Sequence, residues 1–527
     1  MVPRQSPRSS RRTLRPLIAD VIRLSAIVLA VVSVLADSQV PRSAAAITLF
    51  EGARLVVGDG STIEHAAFTV ENDRFVRIVR NGRLRAPAGA RRVDLSGKTV
   101  IPALVDGHVH LGYRKGLSFT ADNYTRTNLL DILDRFAYYG VAAVLEAGTG
   151  RGELPFQLRS EVRSGTRYLT AGRGFAMPNA GPGVPMRDAA YGVTTEAEAR
   201  ENVRELVARK PDMVKIWVDD RNGTVEKLKP PLYRAIIDEA HKQHVRVMAH
   251  IANLDDAKDL LRAGVDGFGH VVRDRDVDGE LLAMLAQRPH VFFVETLWGE
   301  RQALYQGRPA WLDEPILRDT LSDEEITQLA DSFSAARAPA ALQRESAQRL
   351  LRNVAALNAA GVKLGLGTDT GGVTGGQYFG LASHVELELL VKAGLTPAQT
   401  IVAATRTTAD ILGLEDIGTV AEGKSADFVV LDANPLVDIG NTRRISAVYM
   451  KGAEVQRAAL KSRWTSYLQA FLAKPPHSSK PAIMVGGFAA HVLRYFPVRQ
   501  DQKALRLQPL HDIVGNLFGL ERGVEQE

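Results

Sequence analysis

Residues 101–110 read Ile-Pro-Ala-Leu-Val-Asp-Gly-His-Val-His. An apolar run ends in two histidines one residue apart. Side chains on a strand repeat with period two, so His108 and His110 project to one face. Two imidazoles on one face at the end of a buried strand make half of a metal site. A pair of hydrogen-bonded histidines in a turn is the alternative, and the pair alone does not decide.

The text around this stretch alternates strand and helix from residue 99 to about 412. Candidate strands are 99–105, 142–146, 167–170, 213–218, 246–250, 267–271, 291–295 and 363–367. Helix-period stretches such as 129–139, 232–241, 254–263 and 348–360 separate them. Eight strands with crossover helices predict an α/β fold, a TIM-type (β/α)8 barrel over 99–412. Active sites of such barrels lie at the C-terminal strand ends, where His108 and His110 stand.

Both flanks are β-rich. Residues 47–98 and 413–460 contain short strand texts with turns at Gly58-Asp59-Gly60 and Asn72-Asp73, which predicts a small β-sandwich built from both ends. Residues 461–527 read as a C-terminal helix, then a poorly ordered tail after Pro475-Pro476 with no functional reading.

The 527 residues suit a large barrel plus an accessory domain. The composition is that of a globular chain. The formal net charge is +6, but residues 1–46 hold seven Arg, no Lys and two Asp, so five of those charges belong to the leader. The near-neutral remainder gives no case for nucleic-acid binding. The sequence contains no cysteine, which excludes disulfides, thiolate ligands, a Cys nucleophile and a lipobox anchor.

Arg4, Arg8, Arg11, Arg12 and Arg15 form a basic n-region, and residues 24–36 are a short uncharged apolar run. Residues 1–46 therefore read as a signal peptide. The mature chain is expected to start near Ile47 and to be exported, periplasmic or secreted, with no stable membrane span after signal removal. An N-terminally membrane-anchored chain is the alternative. The pair Arg11-Arg12 faintly resembles a twin-arginine signal.

Two segments exceed ordinary loop length, 172–191, rich in Gly and Pro, and 298–341, polar and partly helical. Both follow barrel strands and are expected to rise over the mouth and shape a substrate pocket.

The ends of the candidate strands collect a set. His108 and His110 close strand one, Lys215 lies in strand four, His250 closes strand five, His270 lies in strand six, and Asp369 follows strand eight. Each alone has a bland reading. A lysine can snorkel, a histidine can be hydrogen-bonded in a core, and an aspartate can cap a helix. Six on one rim are hard to explain so, because buried charge is costly unless paired or metal-bound.

Over residues 47 to 460 the chain resembles the amidohydrolase superfamily. The resemblance rests on H-x-H at strand one, Lys215, His250 and His270 on strands four to six, Asp369 in G-T-D, and the text Gly-Lys-Ser-Ala-Asp-Phe-Val-Val-Leu-Asp at 423–432. It looks most like the branch holding imidazolonepropionase-like proteins, Xaa-Pro dipeptidases and ochratoxin-type amidases. That resemblance implies two divalent metal ions bridged by a carboxylated lysine. The residues fit it. An ammonium cannot bind a cation, whereas a CO2-derived carbamate on Lys215 is a bidentate anion. His108, His110 and Asp369 would hold the more buried ion and His250 and His270 the more exposed one. With imidazole ligands and no thiolate, zinc is the leading expectation.

The expected chemistry is hydrolysis of a small-molecule amide by a metal-bridging hydroxide, with Asp369 as catalytic general acid and base. Candidate substrates are a dipeptide or an N-acyl amino acid. Lactone or phosphotriester hydrolysis on the same centre, a mononuclear deaminase, and a non-catalytic scaffold are the competing readings. Lys215 argues against the deaminase. Arg173, Arg221 and His384 are placed to meet substrate, arginines suiting a carboxylate. Tyr138 and Tyr139 read as helix packing. A homo-oligomer is compatible with the sequence.

Overall fold

The computed structural model describes residues 47–472, apart from 81–83, 86–87, 163–164 and 306. The signal peptide expected over 1–46 and the tail from 473 lie outside the described residues. Among the described residues no helix is long and apolar enough to cross a membrane.

Eight parallel strands form the barrel. They are β1 (Leu104–Val109), β2 (Val141–Glu146), β3 (Arg167–Thr170), β4 (Val214–Val218), β5 (Val247–Ile251), β6 (Gly267–Phe268), β7 (Phe292–Glu295) and β8 (Lys363–Leu366). Several of these read as unbroken apolar runs because helices cover the outside of the barrel. All six residues of β2 are buried, for example. β1 pairs with β2 and β2 with β3; β4 to β8 pair in chain order.

Two seams close the ring. Between β8 and β1, His110 N–H donates to the Thr370 carbonyl at 2.7 Å and Asp369 N–H to the His108 carbonyl at 2.8 Å. Between β3 and β4, Asp212 N–H donates to the Thr170 carbonyl at 2.9 Å. The strand Phe175–Ala176 then pairs with β4 through Ile216.

The first strand differs from expectation. Residues Thr99–Pro102 belong to the flank sheet, pairing with Ile47–Val56 and Phe428–Leu431. The ladder changes partner over one residue. Ala103 N–H donates to Asp427, whereas Leu104 N–H donates to Gly140 in the barrel wall. Both sheets are buried there, so one apolar run serves two architectures.

The flanks do combine, as one hydrogen-bonded sheet of eight strands drawn from both ends of the barrel segment. It curls over an aromatic core in which Phe50 meets Phe68, Phe428 and Tyr449 at centroid distances of 5.0, 5.2 and 5.1 Å. The closing helix spans Arg457–Leu472.

Both long segments reach the loops at the mouth, as expected: a Cβ on Gly183 would stand 2.5 Å from Val373, and Gly299 and Glu300 line the cleft beside Asp369. Part of 172–191 is the seam strand Phe175–Ala176. Part of 298–341 fastens to the end of the helix Arg126–Tyr138, while Trp298 and Arg301 hold the loop after β8 through the carbonyls of Gly375 and Thr374. Tyr138 Oη donates to Asp319 at 2.7 Å, and Tyr139 Oη lies 2.9 Å from Thr320 Oγ1. Both tyrosines are packing residues, as their pattern indicated.

Candidate metal centre

The barrel brings the six strand-end residues together. Lys215 Nζ is 3.3 Å from His108 Nε2. Asp369 Oδ1 is 3.0 Å from His110 Nε2 and 3.7 Å from His108 Nε2. The His270 ring lies 4.8 Å from that of His108 and 4.4 Å from that of His250, centroid to centroid. One ligand atom each from His108, His270 and Asp369 falls within 4.8 Å of the others. Lys215 is fully buried.

Outward ring nitrogens of His110, His250 and His270 are tied, which turns the opposite nitrogens inward, while His108 Nδ1 is buried without a partner. His110 Nδ1 is 3.0 Å from Thr149 Oγ1, whose own proton goes to Glu146. His110 Nδ1 is therefore the donor to Thr149, and its Nε2 is the nitrogen that faces Asp369 Oδ1 at 3.0 Å. His250 Nε2 donates to Asp219 Oδ2 at 2.9 Å, which bares Nδ1. His270 Nδ1 is 2.6 Å from Thr296 Oγ1, which turns Nε2 inward.

Burial sets the protonation states. It pushes the Lys215 amine down to about 7 against the opposing charges of Asp369 and Glu146. It lowers His250 to about 4, against Asp219, and holds His108 and His270 well below the usual imidazole range. Burial raises the Asp369 carboxyl, but the hydrogen bond and charge of His110, with Lys215 and His250, outweigh it and hold it low. The lowered imidazoles of His108, His250 and His270, the Asp369 carboxylate and the Lys215 amine at about 7 suit cation binding.

Two glycines make room. A Cβ on Gly269 would stand 2.7 Å from Lys215 Nζ and 2.9 Å from His108 Cε1, inside the cradle. Gly371, at φ +85°, would place a Cβ 1.5 Å from the His110 carbonyl oxygen. Its absence lets the chain after β8 fold back on strand one and present Asp369.

Sequence reasoning missed the residues behind the ligands. Asp219 was legible, because Lys215, Trp217 and Asp219 follow the period of two along β4. Thr149, Glu146 and Thr296 carry no such signal. Asp106 accepts from Thr368 Oγ1 at 2.8 Å, Ser383 Oγ at 3.0 Å and the His108 N–H at 3.2 Å, pinning the backbone that bears His108. Replacing Asp219 with Ala should weaken cation binding by about 10- to 100-fold, because His250 loses its orienting acceptor. Metal titration followed by calorimetry checks this, and unchanged affinity would refute the orienting role.

The substrate candidates divide. His384 is buried in the helix Leu381–Lys392, with Nε2 2.7 Å from the Tyr139 carbonyl, so it packs the helix and does not reach a substrate. Burial lowers its imidazole to about 3. Arg173 spends its guanidinium inside its own loop, on the carbonyls of Ala189 and Ala190 and over the Tyr191 ring at 4.0 Å. Arg221 lies past the end of β4, its N–H donating to Asp219 Oδ1 at 2.8 Å. The lining of the cleft at the centre includes His270, Arg273, Thr296, Glu300, Asp369 and Thr374.

The sequence pattern of the Amidohydrolase family matches residues 99–455, more than half of the chain and the whole barrel. The chain belongs to the amidohydrolase family. It is thus a hydrolase of carbon–nitrogen bonds. Among curated proteins, this amidohydrolase is 24% identical to the ochratoxinase of Aspergillus niger over 449 residues, 75% of this chain and 83% of that one. It is 26% identical to the imidazolonepropionase of Cereibacter sphaeroides over 382 residues, 70% and 89% of the two chains. A solved Xaa-Pro dipeptidase with bound methionine in the active site superposes with a TM-score of 0.61 at 21% identity, covering 78% of this chain and 99% of that one. Structural likeness at that identity speaks for the fold alone.

Proposed function

We propose that this amidohydrolase is an exported enzyme that cleaves the amide bond of an N-acyl amino acid or dipeptide at a pair of divalent cations, zinc first among them. One observation carries the reading. Lys215 is fully buried, 3.3 Å from an imidazole nitrogen, and surrounded by histidines whose free nitrogens face inward. An unpaired ammonium would be costly there. A neutral amine that has taken up CO2 becomes an anionic, two-oxygen ligand able to serve both cations. His108, His110 and Asp369 would hold the inner cation, and His250 and His270 the outer one.

The bound cations supply Lewis-acid polarisation of the scissile carbonyl and an acidified water. The chain's own residues do the rest. Asp369, kept ionised by His110, accepts a proton at Oδ and returns it to the leaving nitrogen. Its backbone is fixed by the Asp369 N–H to His108 carbonyl bond at 2.8 Å and by the Gly372 N–H on its own carbonyl at 3.1 Å. Asp219 and Glu146 hold the imidazoles in the ligating tautomer. The basic leader and apolar run of residues 1–46 support export. The family match and the imidazolonepropionase and ochratoxinase relatives support a carbon–nitrogen bond over a lactone or phosphotriester.

A substrate panel on the zinc-loaded protein tests this, using Xaa-Pro dipeptides, N-acyl amino acids, lactones and paraoxon. The expected result is amide turnover that chelation abolishes and zinc restores. Turnover confined to lactones or paraoxon would replace the amide reading. Absence of both bound metal and turnover would leave a binding scaffold.

A further inference from the structure

We infer that Arg273 anchors a carboxylate on the leaving-group side of the substrate, so that the enzyme selects N-acyl amino acids with a free α-carboxylate over their amides. The inference rests on the amide-hydrolase reading above and narrows it.

Arg273 follows His270 by three residues and lines the same cleft as His270 and Asp369. Its backbone is held from two sides. Its N–H donates to the Ala252 carbonyl at 2.8 Å, and Arg349 donates to its carbonyl at 3.2 Å. Its side chain is not so held. Nε is buried with no acceptor, and the Glu300 carboxylate stands 3.9 Å from Nη1, beyond hydrogen-bond reach. The side chain as a whole is 35% exposed, so its terminal nitrogens remain open to a ligand in the cleft.

Other arginines of the rim are committed. Arg114 donates to the carbonyls of Gly372 and Val373 at 2.9 and 3.2 Å. Arg301 donates to those of Trp298 and Thr374 at 3.0 and 2.9 Å. They clamp the loop that carries Asp369. Arg273 instead adds positive charge beside His250 and His270. Glu300 at 3.9 Å and the nearby Asp219 offset part of that charge, and a carboxylate entering with the substrate would meet it at closer range.

The placement also fixes which end of the substrate is read. Asp369 delivers its proton to the leaving nitrogen, so that nitrogen sits beside Asp369. In an N-acyl amino acid the α-carboxylate is two bonds from that nitrogen. Arg273, across the same cleft, presents the planar fork that takes a carboxylate through two hydrogen bonds.

The test compares an N-acetyl amino acid with its C-terminal amide on zinc-loaded enzyme and on the variants Arg273→Met and Arg273→Lys. The wild type should prefer the free acid. Arg273→Met should raise KM for the acid about 10- to 100-fold with kcat little changed, and should erase the preference over the amide. Arg273→Lys should recover part of it. Equal wild-type turnover of acid and amide, or a preference intact in Arg273→Met, would overturn the anchor while leaving the hydrolase reading in place. Turnover of neither compound, nor of any other amide, would bring down both.

Discussion

Replacing Lys215 with Ala is expected to remove at least one cation from the centre and to lower amide turnover on the order of a thousandfold or more. The effect is large because Lys215 is the one ligand that both cations would share. Its loss leaves the inner and outer nitrogens without the anion that joins them. The fold should survive. The side chain contributes a buried amine in place of hydrocarbon, so the variant leaves a cavity but also relieves a desolvated basic group. Metal analysis and a thermal melt, run on the same preparation, separate the two effects. The carbamate makes a second demand. Metal-free protein prepared without CO2 should take up zinc poorly until bicarbonate is supplied. Full metal content and turnover in Lys215→Ala would refute the shared-ligand role.

The centre was legible in the sequence for a physical reason. A titratable residue at the end of an otherwise apolar strand has no cheap explanation, and the barrel rule puts all such ends on one face. His108, Lys215, His250, His270 and Asp369 each stand out on that ground. What failed to show is what depends on partners far along the chain. The apolar text over 99–105 hides a change of sheet at Ala103, since residues of either sheet are equally buried. His384 sits in a helix buried on most of its faces, so its polarity resembled a site residue when its partner is the Tyr139 carbonyl. The segment 298–341 borders the cleft through Gly299 and Glu300, as its position after a barrel strand indicated, but it is also tied to Tyr138 and Tyr139 through Asp319 and Thr320, contacts that no local pattern announces. Arg273 escaped notice because one arginine after a strand is ordinary, and its buried, unmatched Nε is visible only in three dimensions.

Asp369→Asn should cut kcat by about 10²- to 10⁴-fold, the span that a positioned general acid and base supplies. Asparagine isolates the proton transfer better than alanine would. Asp369 has φ +55°, in the left-handed region where Asp and Asn are both tolerated and most other residues are strained. The variant therefore keeps the backbone, and with it the Asp369 N–H to His108 bond that closes the barrel. Its amide oxygen can still face a cation, though without charge, so zinc affinity should weaken and zinc content at saturating metal should hold. Its amide cannot accept the water's proton. The expected pattern is a near-native melt, bound zinc at high concentration, and turnover that does not return as zinc is added. Recovery of kcat with excess zinc would assign Asp369 to metal binding alone, and the proton would then have to travel through another group in the cleft.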